Sequence, residues 1–129
     1  MRRVRWALVL WLGLLAGCGE SRLFVGEYAV SPKGEVAFRI SQNGDLYVLE
    51  KRHGDSWGDR RELDSQPCPK ALADLQQELD EQQPTLVCLG QQGSLLAALL
   101  HLDKPSGNWK LASYYLIIGL PLPLYKLTP

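Results

Sequence analysis

The chain has 129 residues, 14 basic and 14 acidic side chains, and a hydrophobic content of 46%. That length suits one domain, and that apolar content belongs to a globular chain and not a disordered one. A formal charge of zero removes the broad electrostatic argument for a nucleic-acid partner.

Arg2, Arg3 and Arg5 make a positive start, and Trp6 to Ala16 is an unbroken run of apolar residues and Gly. Spanning a bilayer core takes about 20 apolar residues, so the run is short for a stable transmembrane helix. A basic start, a short apolar core and small residues behind it describe a secretory signal. The core ends in Leu14-Leu15-Ala16-Gly17-Cys18. In these residues the chain resembles a bacterial lipoprotein precursor, because Leu15-Ala16-Gly17-Cys18 fits the lipobox of that class at every position. The resemblance covers residues 1–18 only. It implies that 1–17 is a signal peptide cut before Cys18, and that Cys18 carries diacylglycerol and a further acyl chain of the palmitate kind. It implies a bacterial cell-envelope protein held to its membrane by lipid. Gly19 in place of Asp points, by the same resemblance, to the outer membrane and its periplasmic face.

Loss of the signal removes three arginines, so eleven basic groups face 14 acidic ones and the mature charge is −3. A mildly acidic domain is a poor match for nucleic acid or anionic lipid. Residues 18–22 form a short lipidated tether, and four extended residues after Cys18 reach at most about 14 Å. The domain, residues 23–129, is then held close to its membrane, unless Leu23 to Val25 is also loose.

Leu23 to Ser31 reads as a strand, followed by a turn at Ser31-Pro32-Lys33-Gly34. Glu35 to Ser41 alternates Val36, Phe38 and Ile40 against Ala37 and Arg39. Asn43-Gly44 signals a hairpin into Leu46 to Lys51. The spacing predicts an antiparallel meander over 23–51. Arg52 to Gln66 is polar, with two glycines, and predicts a loop or wide hairpin. Its residues His53, Asp55, Trp57, Asp59 and Arg60 are the candidate partner-binding loop. Trp57 is expected to fold onto the sheet edge, the alternative being an exposed recognition residue.

Leu72, Leu75 and Leu79 share one face of a predicted amphipathic helix over Pro69 to Gln82, with Pro84 just beyond its end. Thr85 to Gly90 predicts a strand. Ser94 to Leu102 suits helix or strand, and strand is the choice. Trp109 to Ile118 has strand composition. Gly119 to Tyr125 is punctuated by Pro121 and Pro123, which excludes a central strand and leaves an edge cover or a segment offered to a partner. The fold class expected is α+β, an antiparallel β-meander sheet with one amphipathic helix packed on it.

With Cys18 lipidated, Cys68 and Cys88 remain as an even pair in an oxidising compartment, and a disulfide is expected. It would close a loop of 20 positions and stabilise by roughly 3 kcal/mol on the chain-entropy view. The helix is too long, and the return strand too short, for the bridge unless Cys68 bends back or the helix starts later. A reactive thiol at Cys68 is the rival reading. His53 and His101 lack finger-like spacing, so no metal is expected. No phosphate-cradling or nucleophile-elbow pattern occurs. His53, Asp55 and Ser56 lie close in sequence, but catalytic triads are assembled from distant positions. The expectation is a non-catalytic envelope lipoprotein without cofactor, a membrane-tethered binding or assembly and stabilising module with an envelope protein partner. The alternative is a lipid-anchored inhibitor of a cell-wall-degrading enzyme, or a soluble-ligand binder. A thiol or hydrolytic enzyme is the third and weakest reading.

Overall fold

A computed structural model describes residues 22–127. The expected signal peptide over 1–17, Cys18 and most of the expected tether lie outside the described residues. Eight strands follow in chain order: β1 (Gly26–Ala29), β2 (Phe38–Asn43), β3 (Leu46–His53), β4 (Ser56–Gln66), β5 (Pro84–Gln91), β6 (Ser94–Leu102), β7 (Tyr114–Ile118) and β8 (Leu120–Lys126). One helix, α1 (Lys70–Glu78), stands between β4 and β5. Each strand pairs antiparallel with the next, and β8 returns to β1, so the meander closes into a barrel. The antiparallel sheet and the single helix are as expected. Closure was not, because the contact that makes it, Tyr28 against Lys126 and Ala29 against Tyr125, joins opposite ends of the chain.

Odd-numbered strands begin at the end where the chain enters at Leu23, here the near end; even-numbered strands begin at the far end. The far end carries three tight hairpins. Two of them pair across two-residue loops, His53 with Ser56 and Gln91 with Ser94. In the second, Gln92 and Gly93 both have positive φ, as a twist-matched hairpin turn requires. The third turns at Gly119 alone, between Ile118 and Leu120.

The barrel interior is filled. Tyr28, Ile40, Tyr47, Leu63, Leu89, Leu99, Leu116 and Leu124 are all buried in one cluster, and Phe24 closes it as a plug that is 1% exposed. The aromatic rings interlock: Tyr28 stacks on Phe38 at 5.4 Å and meets Tyr114 edge-on at 5.7 Å. Such pairs add about 0.5–1.5 kcal/mol beyond area burial. The Tyr28 hydroxyl is buried but donates to the Phe24 carbonyl at 2.7 Å, so no polar atom is stranded there.

A second cluster lies on the outside of β6 and β7. Leu100, Leu102, Ala112 and Tyr115 pack there against Leu79, with Leu75 and Trp109 alongside. The helix therefore sits on the outer wall and does not cap the lumen. This explains the ambiguity of Ser94 to Leu102. Leu99 faces the lumen and Leu100 faces the helix side, so from Ala97 onward both faces of β6 are covered and its apolar run is continuous.

Of the loop and the wide hairpin expected for 52–66, the structure has the hairpin, with 11 of the residues in β4. Two expectations are corrected. Trp109 to Ile118 is a strand only from Tyr114; its start is a 3-10 turn over Gly107–Trp109 that lays Trp109 against Tyr115 at 4.9 Å. The proline-rich end is a paired strand, β8. β1 covers only Tyr125 and Lys126 of it. Alternate residues of β8 turn their N–H toward β1, as Leu127 does in donating to Glu27 at 2.8 Å. Pro121 and Pro123 share that phase, beyond the end of β1, where no partner needs a donor. The rule confining Pro to unpaired edges is obeyed locally inside a closed barrel.

Candidate functional site

The disulfide between Cys68 and Cys88 is formed, with Cα atoms 5.3 Å apart. Its geometry follows from register. Gln66 pairs with Cys88 across β4 and β5, and Cys68 lies two residues past Gln66 in the lead-in to the helix. The helix begins at Lys70 and has nine residues, so Cys68 stays outside it. A 3-10 turn over Asp80–Gln82 and a left-handed Gln83 then reverse the chain into β5. Cys88 is buried and bonded, which removes the reactive-thiol reading of Cys68.

The candidate loop is a long β-hairpin. β3 and β4 pair from Leu46 and Asp64 out to His53 and Ser56, but β5 covers β4 only from Asp64 to Gln66. The outer part of β4, Ser56 to Arg61, therefore has a strand on one side only and overhangs the barrel at the far end. Gln91 closes the start of that edge by donating from Nε2 to the Glu62 carbonyl at 3.0 Å. Glu50 faces two residues, Asp59 and Arg60, in a bulge where Asp59 takes a φ of 50°. A bulge and charged side chains are devices that keep a free strand edge from pairing with other chains.

All five candidate residues belong to this hairpin. His53 Nε2 and Asp59 Oδ2 lie 3.1 Å apart on the exposed surface. The His53 ring lies over Gly58, where a Cβ would come within 2.9 Å of its Cδ2 atom. Asp55 is at the tip. Arg60 pairs with Glu62 at 3.0 Å. Trp57 is half-buried between two guanidinium groups, Arg39 at 4.2 Å and Arg52 at 5.1 Å from its ring. Arg39 is fixed in turn by Glu50 at 3.0 Å, and Arg52 donates to the Gly54 carbonyl at 2.7 Å. Trp57 does fold back onto the sheet, as expected. Its partners Arg39 and Arg52 were not foreseen. Both are strand residues whose outward phase is visible only once the register is known.

His53, Asp55 and Ser56 do not make a nucleophile–base–orienter set. Ser56 Oγ donates to the backbone carbonyl of His53 at 3.1 Å, and the His53 ring engages Asp59 and not Asp55. Among the described residues, no three His, Cys, Asp or Glu side chains converge as metal ligands would. Among them also, no helix is long and apolar enough to cross a membrane.

At the near end the chain is pinned at Leu23. The Leu23 carbonyl accepts from Tyr114 Oη at 3.3 Å and from Lys126 Nζ at 3.1 Å. The Lys126 ammonium lies 5.3 Å from the Tyr114 ring, and burial lowers its pKa. The His101 ring packs against Tyr114 at 4.6 Å, tilted by 52°. Burial also lowers the His101 pKa, opposed by Asp103, whose Oδ1 lies 3.4 Å from Nδ1, and reinforced by Lys126. Loose backbone over Leu23 to Val25 is therefore excluded: Phe24 is in the core and Val25 donates to the Arg22 carbonyl at 3.2 Å. Sequence reasoning weighed His101 only as a metal ligand and missed Tyr114 and Lys126; the three meet through the register of β6, β7 and β8.

No family model, no curated protein and no solved structure matches this chain.

Proposed function

We propose that the mature chain is a small non-catalytic envelope lipoprotein, anchored through lipid on Cys18 to the outer membrane at its periplasmic face. In this reading it is a membrane-tethered binding or assembly module that offers its far end to a protein partner. The observation that carries it is the pinning of Leu23 at the near end. It leaves only a few residues between the lipobox cysteine and a rigid barrel. The overhanging hairpin lies at the opposite end of strands of up to 11 residues, each residue adding about 3.3 Å along a tilted strand. A lipid on Cys18 therefore directs His53, Asp55, Trp57, Asp59 and Arg60 away from the membrane that holds it.

The filled lumen argues for recognition at the surface. Tyr28, Leu89 and Leu99 are fully buried where a barrel that carries a small molecule keeps a cavity. The overhang also supports an inhibitor of a cell-wall-degrading enzyme, with the hairpin as the inserting element. Site-specific cross-linking from position 57 in living cells tests the first reading. One discrete envelope protein, lost when Arg52 and Arg60 are reversed in charge, supports it; cross-links to nothing but lipid remove it. If the purified protein, in high excess, leaves lysozymes fully active, the inhibitor version fails for that enzyme class.

A further inference from the structure

The near end carries exposed apolar residues of its own. Leu111 is 64% exposed and Leu127 43%. Tyr114 pairs with Leu124; Leu111 lies three residues before the one and Leu127 three after the other, so both leave neighbouring strands at this end. The loop that carries Leu111 is fastened. The Lys104 N–H donates to the Gln82 carbonyl at 3.1 Å, and the Ser106 N–H to Gln82 Oε1 at 3.1 Å. Trp109 rests against Tyr115, and Ala112 is buried, its N–H donating to Tyr115 Oη at 3.3 Å. Leu111 is held out between these two anchors. Lys104 and Lys110 are exposed in the same loop, and Arg22 at the same end. The one acidic residue of the loop, Asp103, lies 3.4 Å from the His101 ring.

We infer that the near end is a membrane foot: Leu111 and Leu127 enter the lipid headgroup layer, with Trp109 at its boundary and Lys104 and Lys110 at the phosphates. The inference rests on the anchoring of Cys18 proposed above and adds a second, non-covalent contact to it. Tether length names the occupant. The Leu23 carbonyl is held by Tyr114 and Lys126 at this same end. The four residues between Cys18 and Leu23 reach at most about 14 Å, and a headgroup layer is roughly 5–8 Å deep. Only a nearly stretched tether would hold this end clear of the headgroups, and a protein partner would have to enter that narrow gap. Composition agrees, because Trp, Lys and Leu together suit a membrane–water interface, with apolar ring and stem and a wet tip. Two leucines are too few to hold a domain on a bilayer alone, so the foot orients a barrel that is already anchored. It uses none of the hairpin residues.

Beyond Cys18 the chain has two tryptophans, Trp109 at the foot and Trp57 on the far hairpin. The full chain is expressed in bacterial cells unsubstituted, as Trp57→Phe and as Trp109→Phe. Each is extracted from membranes, checked by intact mass and circular dichroism, and placed in phosphatidylcholine vesicles whose acyl chains carry bromine, which quenches on contact. Relative to unbrominated vesicles, Trp109 emission in Trp57→Phe should fall at least twofold, and Trp57 emission in Trp109→Phe should hold. The unsubstituted chain, which keeps both signals, should be quenched to an intermediate extent. Leu111→Glu added to Trp57→Phe should restore at least half of the lost emission. Quenching of both tryptophans or of neither, or no effect of Leu111→Glu, in chains whose mass shows an acylated Cys18, overturns the inference and leaves the anchoring in place. A mass without acyl groups overturns both.

Discussion

The hydroxyl of Tyr114 donates to the carbonyl oxygen of Leu23, across 91 positions of sequence. The bond ties the point where the chain enters the barrel to the first residue of β7. Lys126, at the end of β8, holds the same oxygen, so the two last strands and Leu23 form one clasp. Tyr114→Phe should cost about 1 kcal/mol, the usual net value of such a bond, and should speed amide exchange at residues 25–28. Phe24→Ala should cost about 3–5 kcal/mol, because it removes the plug and leaves a cavity. Urea unfolding of both variants checks the ranking.

His101 makes the clasp sensitive to acid. Burial lowers its folded pKa below the ordinary 6.5, so the unfolded chain takes up a proton first as the pH drops. The contribution of neutral His101 is complete above about pH 6.5 and is lost as the pH falls from there toward the folded pKa. His101→Gln should flatten the decline of the urea midpoint between pH 7.5 and pH 5.5. An unchanged slope in the variant would assign the decline to other groups.

Reducing the disulfide, or replacing both Cys68 and Cys88 by Ser, should destabilise the domain by roughly 3 kcal/mol. The loss should come without a change of secondary structure by far-ultraviolet circular dichroism, since β4–β5 pairing does not require the bridge. Cys88→Ser alone should cost at least as much, because Cys88 is 1% exposed and packs beside β6.

Gly90 sits in the bulge where β5 meets the start of β6, and a Cβ there would press into the Ser94 backbone carbonyl and the Gln66 side chain. Gly90→Ala should cost about 1–3 kcal/mol by overpacking. Gly44→Ala makes a useful contrast. Nothing lies within 4 Å of the added atom, so only the strain of a positive φ is felt, about 1 kcal/mol.

Much of the fold could be read from the chain one element at a time. The alternation of Phe38 and Ile40 in β2, which begins two residues after Val36, the Asn43-Gly44 turn and the leucine face of the helix all act locally. They were read correctly for that reason. Ser94 to Leu102 resisted because both of its faces are covered from Ala97 onward, so its apolar run has no period. The proline strand misled because the phase of Pro121 and Pro123 matters only relative to where β1 stops. Trp57 was legible as a residue that folds back, but its two arginine partners come from β2 and β3 by register. The resemblance of Leu15-Ala16-Gly17-Cys18 to a lipobox needs no fold at all, which is why the anchoring proposal rests on sequence while the clasp and the overhang rest on structure.

Anchoring is tested most directly by the intact mass of the protein extracted from membranes, measured for the wild type and for Cys18→Ser. A chain beginning at Cys18 and carrying acyl groups, with both features lost in the variant, is the expected result. An unlipidated chain or an uncleaved precursor would contradict it. The far end would then no longer be set apart from the near end by any membrane.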